Sequence, residues 1–355
     1  MENETIINAK FGDNMTNKQR KMTLISAVIA SCALVMVQAS FSQTREQGPW
    51  WPSPHGSEDQ AGSSNYVTPA KILAALQIPQ TGKTYELGHI YEANMPAFGS
   101  RPYFMQVVPP PTPTSAEGGV ALSEYFTGFI GQMGTQFDGL GHQGGNIQMG
   151  DGSFKTVFYN GFTAEDLTGT NRGRGGLEAL GVEHMKPFIT RGILIDIAGF
   201  KGVDTLPAAY EVTLEDMRGA LAWQNMGEDT IEQGDAVFFN YGWAVNWTNP
   251  SKYNDSYIGT GENEGSPGIY ADVARWLSAR KVSLVGADSC CVEVRPRPGL
   301  DNLHRILFLG EGIAMLESME LRDLARDEAY EFLFLGLPER IKGATGSPMR
   351  PIAIR

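Results

Sequence analysis

The chain is poor in the residues that build disulfide frameworks and basic surfaces. Three cysteines in 355 residues, two of them adjacent at Cys290 and Cys291, exclude a disulfide scaffold. Neighbouring cysteines close too small a ring for an unstrained bridge, so the core itself must hold the fold. Twenty-eight Lys and Arg against 40 Asp and Glu leave a formal charge of −12. No Lys/Arg-rich stretch supplies the positive footprint that a phosphate backbone needs, which argues against nucleic acid as a partner. No Gly-x-Ser-x-Gly elbow, P-loop or dinucleotide fingerprint is present, which removes serine-hydrolase and nucleotide-dependent chemistry. With 42 Gly and 20 Pro, turns should be frequent and long helices few, while a 42% apolar content suffices for one large core or two modest ones.

Lys18, Arg20 and Lys21 precede an apolar run from Met22 to Val37, and Ala39, Ser40 and Ser42 follow it. That is the order of charged, apolar and cleavage regions in a secretory signal, and the run falls short of the roughly 20 residues that span a bilayer. Residues 1–42 therefore read as a signal peptide with an N-terminal extension, and the mature protein is expected to be exported to the periplasm. Residues 43–355 read as a single domain, since no internal repeat and no later break in composition divides them.

Short β-rich runs recur between turns in "KTYELGHIY", "RGILIDIAGF", "GDAVFFNYGW", "KVSLVGAD" and "YEFLFLGLPERI". Two helices are marked. Thr213 opens "TLEDMRGALAWQ" with Asp216 three residues on and Leu214, Met217 and Leu221 on one face. "SPGIYADVARWLSAR" has Pro267 near its start and Ile269, Val273, Trp276 and Leu277 on one stripe. Strands interleaved with helices indicate an α/β protein.

Histidine is scarce as well, with five in the chain: His55, His89, His142, His184 and His304. His55 and His184 read as hydrogen-bonded structural residues, the commoner fate of a lone imidazole. His142 differs, because it ends "GQMGTQFDGLGH" four residues after Asp138, in a loop whose glycines let the backbone bend around an ion or substrate. A second cluster lies in "DNLHRILFLGEGIAMLESM", where His304 and Glu317 flank an apolar run expected to form a strand-turn-strand or strand-loop element. One imidazole with the two carboxylates Asp138 and Glu317 suits a divalent ion.

Together these residues resemble the cyclase family of bacterial kynurenine formamidases and isatin hydrolases. Its mark is His-x-Gly-Thr-His-x-Asp-x-Pro-x-His, followed by a His and a Glu about a dozen residues apart. Here the mark reads Gln132, Gly134, Thr135, Gln136, Asp138, Leu140 and His142, with His304 and Glu317 following. The resemblance runs from "EDQAGSSNYVTPAKIL" to "RIKGATGSPMRPIAI". It implies a swivelling β/β/α fold with a mixed sheet and flanking helices, a homodimer or homotetramer, and metal-assisted hydrolysis of an amide, cyclic amide or lactone, arylformamidase-like activity among them. It also implies Asp138, His304 and Glu317 as metal ligands and His142 as general base and acid. Gln132 and Gln136 occupy two histidine-ligand positions, and an amide oxygen is a hard, neutral donor. One divalent ion is therefore expected rather than two, with Mn²⁺ favoured and Zn²⁺ second.

Trp50, Trp51, Phe98 and Tyr103 are candidates for lining a pocket for a small aromatic substrate, although large rings most often serve the core. Two other readings compete. A cysteine nucleophile at Cys290 or Cys291 lacks any histidine paired with it in the sequence. A non-catalytic exported binding or scaffold protein could keep the fold after losing two ligands, but such a protein has no chemical reason to retain Asp138, His142, His304 and Glu317 together.

Overall fold

The computed structural model describes residues 50–97, 101–108, 122–170, 173–253, 264–297 and 302–355. The chain divides into two units, Met1–Arg45 and Glu46–Arg355, and every described residue belongs to the second. The signal-peptide reading of residues 1–42 and the substrate role of Phe98 lie outside the described residues. Among those residues no helix is long and apolar enough to cross a membrane.

Nine strands of the described residues form one mixed sheet. In chain order they are β1 (Thr84–Glu86), β2 (Gln136–Asp138), β3 (Phe188–Asp196), β4 (Ala236–Asn240), β5 (Leu284–Ala287), β6 (Ala314–Glu317), β7 (Glu331–Gly336), β8 (Gly346–Pro348) and β9 (Ile352–Ile354). Their spatial order is β1-β9-β7-β3-β4-β5-β6-β2-β8. The four central strands, β3 to β6, run parallel, and antiparallel strands flank them on both sides. This is the α/β architecture that the sequence pattern indicates, with the mixed sheet core that the family resemblance implies.

The parallel centre follows from composition. β4 reads "AVFFN" and β5 "LVGA", and every residue in both is buried. Continuous apolar runs of this kind mark strands covered on both faces, and parallel strands need crossover helices to provide that cover. Helix α1 (Leu214–Trp223) lies between β3 and β4, α2 (Ala271–Ala279) between β4 and β5, and α3 (Leu303–Leu309) between β5 and β6. Across the sheet the Phe238 ring packs 4.7 Å from Phe334 and 5.9 Å from Phe332.

The expected helix after Thr213 forms with its cap. The Asp216 N–H donates to the Thr213 hydroxyl at 3.1 Å, and the Asp216 carboxylate accepts from the Thr213 N–H at 3.2 Å, which satisfies two end donors at once. Two local expectations change. Gly268–Ile269 pairs as a short parallel strand with Glu211–Val212, so α2 starts only at Ala271, past Pro267 and Ile269. The segment after His304 is helix followed by strand rather than two strands. The Asn302 side chain accepts from the Arg305 N–H and caps α3, and the chain turns at Gly310 before it enters β6.

Candidate metal centre

Strand register brings the motif loop to the C-terminal cluster. β2 runs antiparallel to β6 with Gln136 opposite Glu317 and Asp138 opposite Met315. Residues directly opposite share a face, and residues two apart on one strand do too. Gln136, Asp138 and Glu317 therefore project to the same side, although Gln136 and Glu317 are 181 residues apart in the chain. Thr135 locks this register, because its hydroxyl donates to the Ser318 carbonyl at 2.6 Å and accepts from the His89 N–H at 2.8 Å. Gly134 stands at φ 59°, where a Cβ would lie 1.8 Å from the Tyr91 ring, so only glycine fits the turn that feeds β2.

α3 adds His304 in its first turn, and the tight turn closed by the His142 N–H on the Gly139 carbonyl adds His142. His304 Nε2 lies 3.4 Å from Glu317 Oε1 and 4.0 Å from Asp138 Oδ2. His142 Nε2 lies 3.6 Å from the same Asp138 oxygen. One ligand atom each from Asp138, His142 and His304 fall within 4.8 Å of one another. Gln136 donates its amide N–H to Glu317 Oε2 at 2.8 Å, and Gln132 donates to Asp138 Oδ1 at 2.9 Å. The two residues at histidine-ligand positions thus brace the carboxylates.

Three buried oxygens here make no hydrogen bond: Gln136 Oε1, Asp138 Oδ2 and Glu317 Oε1. A buried acceptor left unpaired costs about 1–3 kcal/mol, so three in one place need a common partner. A divalent cation is that partner in kind, since oxygen donors with one imidazole suit Mn²⁺ or Zn²⁺, and the residues present fit such an ion. Burial, and next the charge of Asp138, push the Glu317 carboxyl above its ordinary range. Burial opposes charge on His304, yet Glu293 and Glu317 outweigh it and raise the imidazole to about 9. Burial lowers His142 against the pull of Asp138, which leaves its ring neutral near pH 7.

A cavity of about 110 Å³ opens on these groups, and Arg101, Arg295, Cys290 and Cys291 also line it. No local pattern in the sequence links the loop to residues 290–295. Burial pushes the Cys291 thiol well up, away from the low-pKa thiolate that a nucleophile requires. A second pocket of about 210 Å³ is lined by Tyr91, Tyr103, Phe126, Phe129, Met133 and Pro348. Arg101 connects the two: it lines the polar cavity, donates to the Gln132 carbonyl at 2.7 Å, and lies over the Phe129 ring. Tyr103 thus reaches a pocket beside the site. Trp50 and Trp51 do not line either pocket, because they pack edge to face on each other and Trp51 is buried against Gly161. A larger cleft of about 920 Å³ holds His89, stacked on Trp247, and none of the candidate ligands. His55 rests edge-on against Tyr66, and His184 lies beside Glu183.

The family model named Cyclase matches residues 85–294. A solved structure described as a novel cyclase is 29% identical and aligns over 85% of this chain and 98% of its own, with a TM-score of 0.71. Isatin hydrolase A from Ralstonia solanacearum is 18% identical over 81% of this chain and 95% of its own, at a TM-score of 0.54. An isatin hydrolase bound to the product analogue thioisatinate is 17% identical over 80% and 94%, at 0.53. These last two likenesses are likenesses of fold. No curated protein matches the chain.

Proposed function

Since the chain belongs to the cyclase family, we propose that it is a divalent-metal-dependent hydrolase of an amide, cyclic amide or lactone, with arylformamidase-like cleavage within that range. The observation that carries this reading is the set of three unpaired buried oxygens on Gln136, Asp138 and Glu317, gathered around His304. Asp138, Glu317 and His304 would hold one ion with the Gln136 amide oxygen, and so oxygen-rich a set favours Mn²⁺ over Zn²⁺. When bound, the ion supplies Lewis acidity to a substrate carbonyl and lowers the pKa of a water.

The remaining work falls to side chains. His142, neutral and partly exposed beside Asp138, accepts a proton from the attacking water and returns it to the leaving group. Gln132 and Gln136 hold the two carboxylates in place. The apolar pocket around Tyr103 and Phe126 suits an aromatic substrate whose polar end reaches Arg101. A homodimer or homotetramer accords with the antiparallel pair of Tyr103–Val108 and Ser123–Gly128, which exposes Phe104, Met105, Tyr125 and Phe126. A two-stranded sheet is marginal without cover.

A second reading makes His142 a ligand, since it groups with Asp138 and His304. Metal analysis of protein purified without chelator, paired with a screen of N-formylkynurenine, isatin and simple lactones, tests the main proposal. One equivalent of metal with turnover of any of these supports it. Metal-free protein that no divalent ion restores to activity returns the chain to the binding or scaffold reading.

A further inference from the structure

We infer that Glu293 is the residue that orients His304 toward the ion, holding the imidazole with its proton on Nδ1 so that Nε2 faces Asp138 and Glu317. This rests on the metal reading above. Glu293 is fully buried, and its Oε1 lies 3.5 Å from His304 Nδ1, on the ring edge opposite the candidate ligands. Its other oxygen accepts the Leu303 N–H at 3.1 Å. One carboxylate therefore accepts the first backbone donor of α3 and faces the ring nitrogen of the next residue, which has no other hydrogen-bond partner.

The need for such a grip comes from the crowding on the other edge. Glu317 and Asp138 stand 3.4 and 4.0 Å from Nε2, and each attracts a proton to that nitrogen. A ring protonated at Nε2 has no lone pair to offer a cation there. A carboxylate at Nδ1 tips the choice of tautomer and makes Nε2 more basic, which is how outer groups tune metal-binding histidines. Glu293 is itself fixed by Arg295 at 2.7 Å and by two bonds from Arg297 at 2.7 and 2.9 Å. The chain reaches it through Val292 at φ 56°, a left-handed conformation that a β-branched residue rarely adopts. The turn that aims Glu293 into the protein is thus held against local preference.

The test measures Mn²⁺ binding by calorimetry on the full chain, as wild type, Glu293→Gln and Arg297→Met. Glu293→Gln keeps the shape and removes the charge, and its Mn²⁺ affinity should fall about 10- to 100-fold, the usual cost of losing such an outer partner. Arg297→Met removes two of the bonds that fix Glu293 and should lower affinity in the same direction as Glu293→Gln but by less. A second measurement needs no variant: in Zn²⁺-loaded wild type, nitrogen-15 spectra of labelled histidine should show the His304 proton on Nδ1. Wild-type affinity in Glu293→Gln, or a proton on Nε2, overturns the role of Glu293 alone. A wild-type protein that binds no divalent ion overturns the metal reading and this inference with it.

Discussion

Replacing Asp288 by Asn tests whether a buried carboxyl at the end of β5 weakens the fold as pH rises. Asp288 is fully buried, and its two oxygens accept the Tyr241 N–H at 2.9 Å and the Ala244 N–H at 3.2 Å. It thereby fastens the turn after β4 to the strand that leads to Cys290 and Cys291. Burial raises its pKa from 3.8 to about 7, against the backbone donors that favour its charge. The folded state thus prefers the protonated form, so stability is lost as pH climbs from the unfolded value through the folded one. At about 1.4 kcal/mol per unit, the whole shift is worth roughly 4 kcal/mol, of which about 1.5 is already lost by pH 5 and about 2.5 more by pH 8. The Asn variant has no such slope. It carries instead a constant cost of about 1–3 kcal/mol for turning an amide N–H₂ toward the Ala244 N–H. Urea unfolding of both proteins in chelator from pH 5 to 8 checks this, because subtracting the two curves cancels every other titrating group. The variant should gain about 2.5 kcal/mol on wild type across that range. A difference that stays flat with pH refutes the reasoning.

His142→Ala should lower turnover by about 10²- to 10⁴-fold while metal content by elemental analysis stays at the wild-type level. Loss of the metal in that variant would make His142 a ligand. Glu317→Ala should abolish ion binding in equilibrium dialysis, and Gln136→Ala should only weaken it, since the amide offers one neutral oxygen where Glu317 offers a charge. Two tightly held zinc ions per chain would contradict the single-ion arrangement. Phe334→Ala removes a fully buried ring packed against Phe238, and chemical denaturation should show a loss of about 3–5 kcal/mol.

The sequence by itself determined the parts that depend on local pattern. The apolar runs that become β4 and β5 mark strands, and their alternation with helices marks an α/β protein, while the parallel pairing of the centre came with the structure. Thr213 and Asp216 specify a helix start, because a cap is chemistry among neighbours. Asp138, His142, His304 and Glu317 could be picked out as candidates by residue type and by family likeness. What the tertiary structure decided is how they meet. The β2–β6 register places Gln136 against Glu317, and the helical form of Leu303–Leu309, which an apolar run cannot distinguish from strand, turns His304 onto the same site. Arg101, Cys290, Cys291 and Glu293 join the site, and Trp50 and Trp51 pack elsewhere, with nothing in their neighbours to announce it. Periodicity records which face of one segment is buried. An ion site is a convergence of several segments, set by strand order and register, and those depend on the packing of the whole sheet.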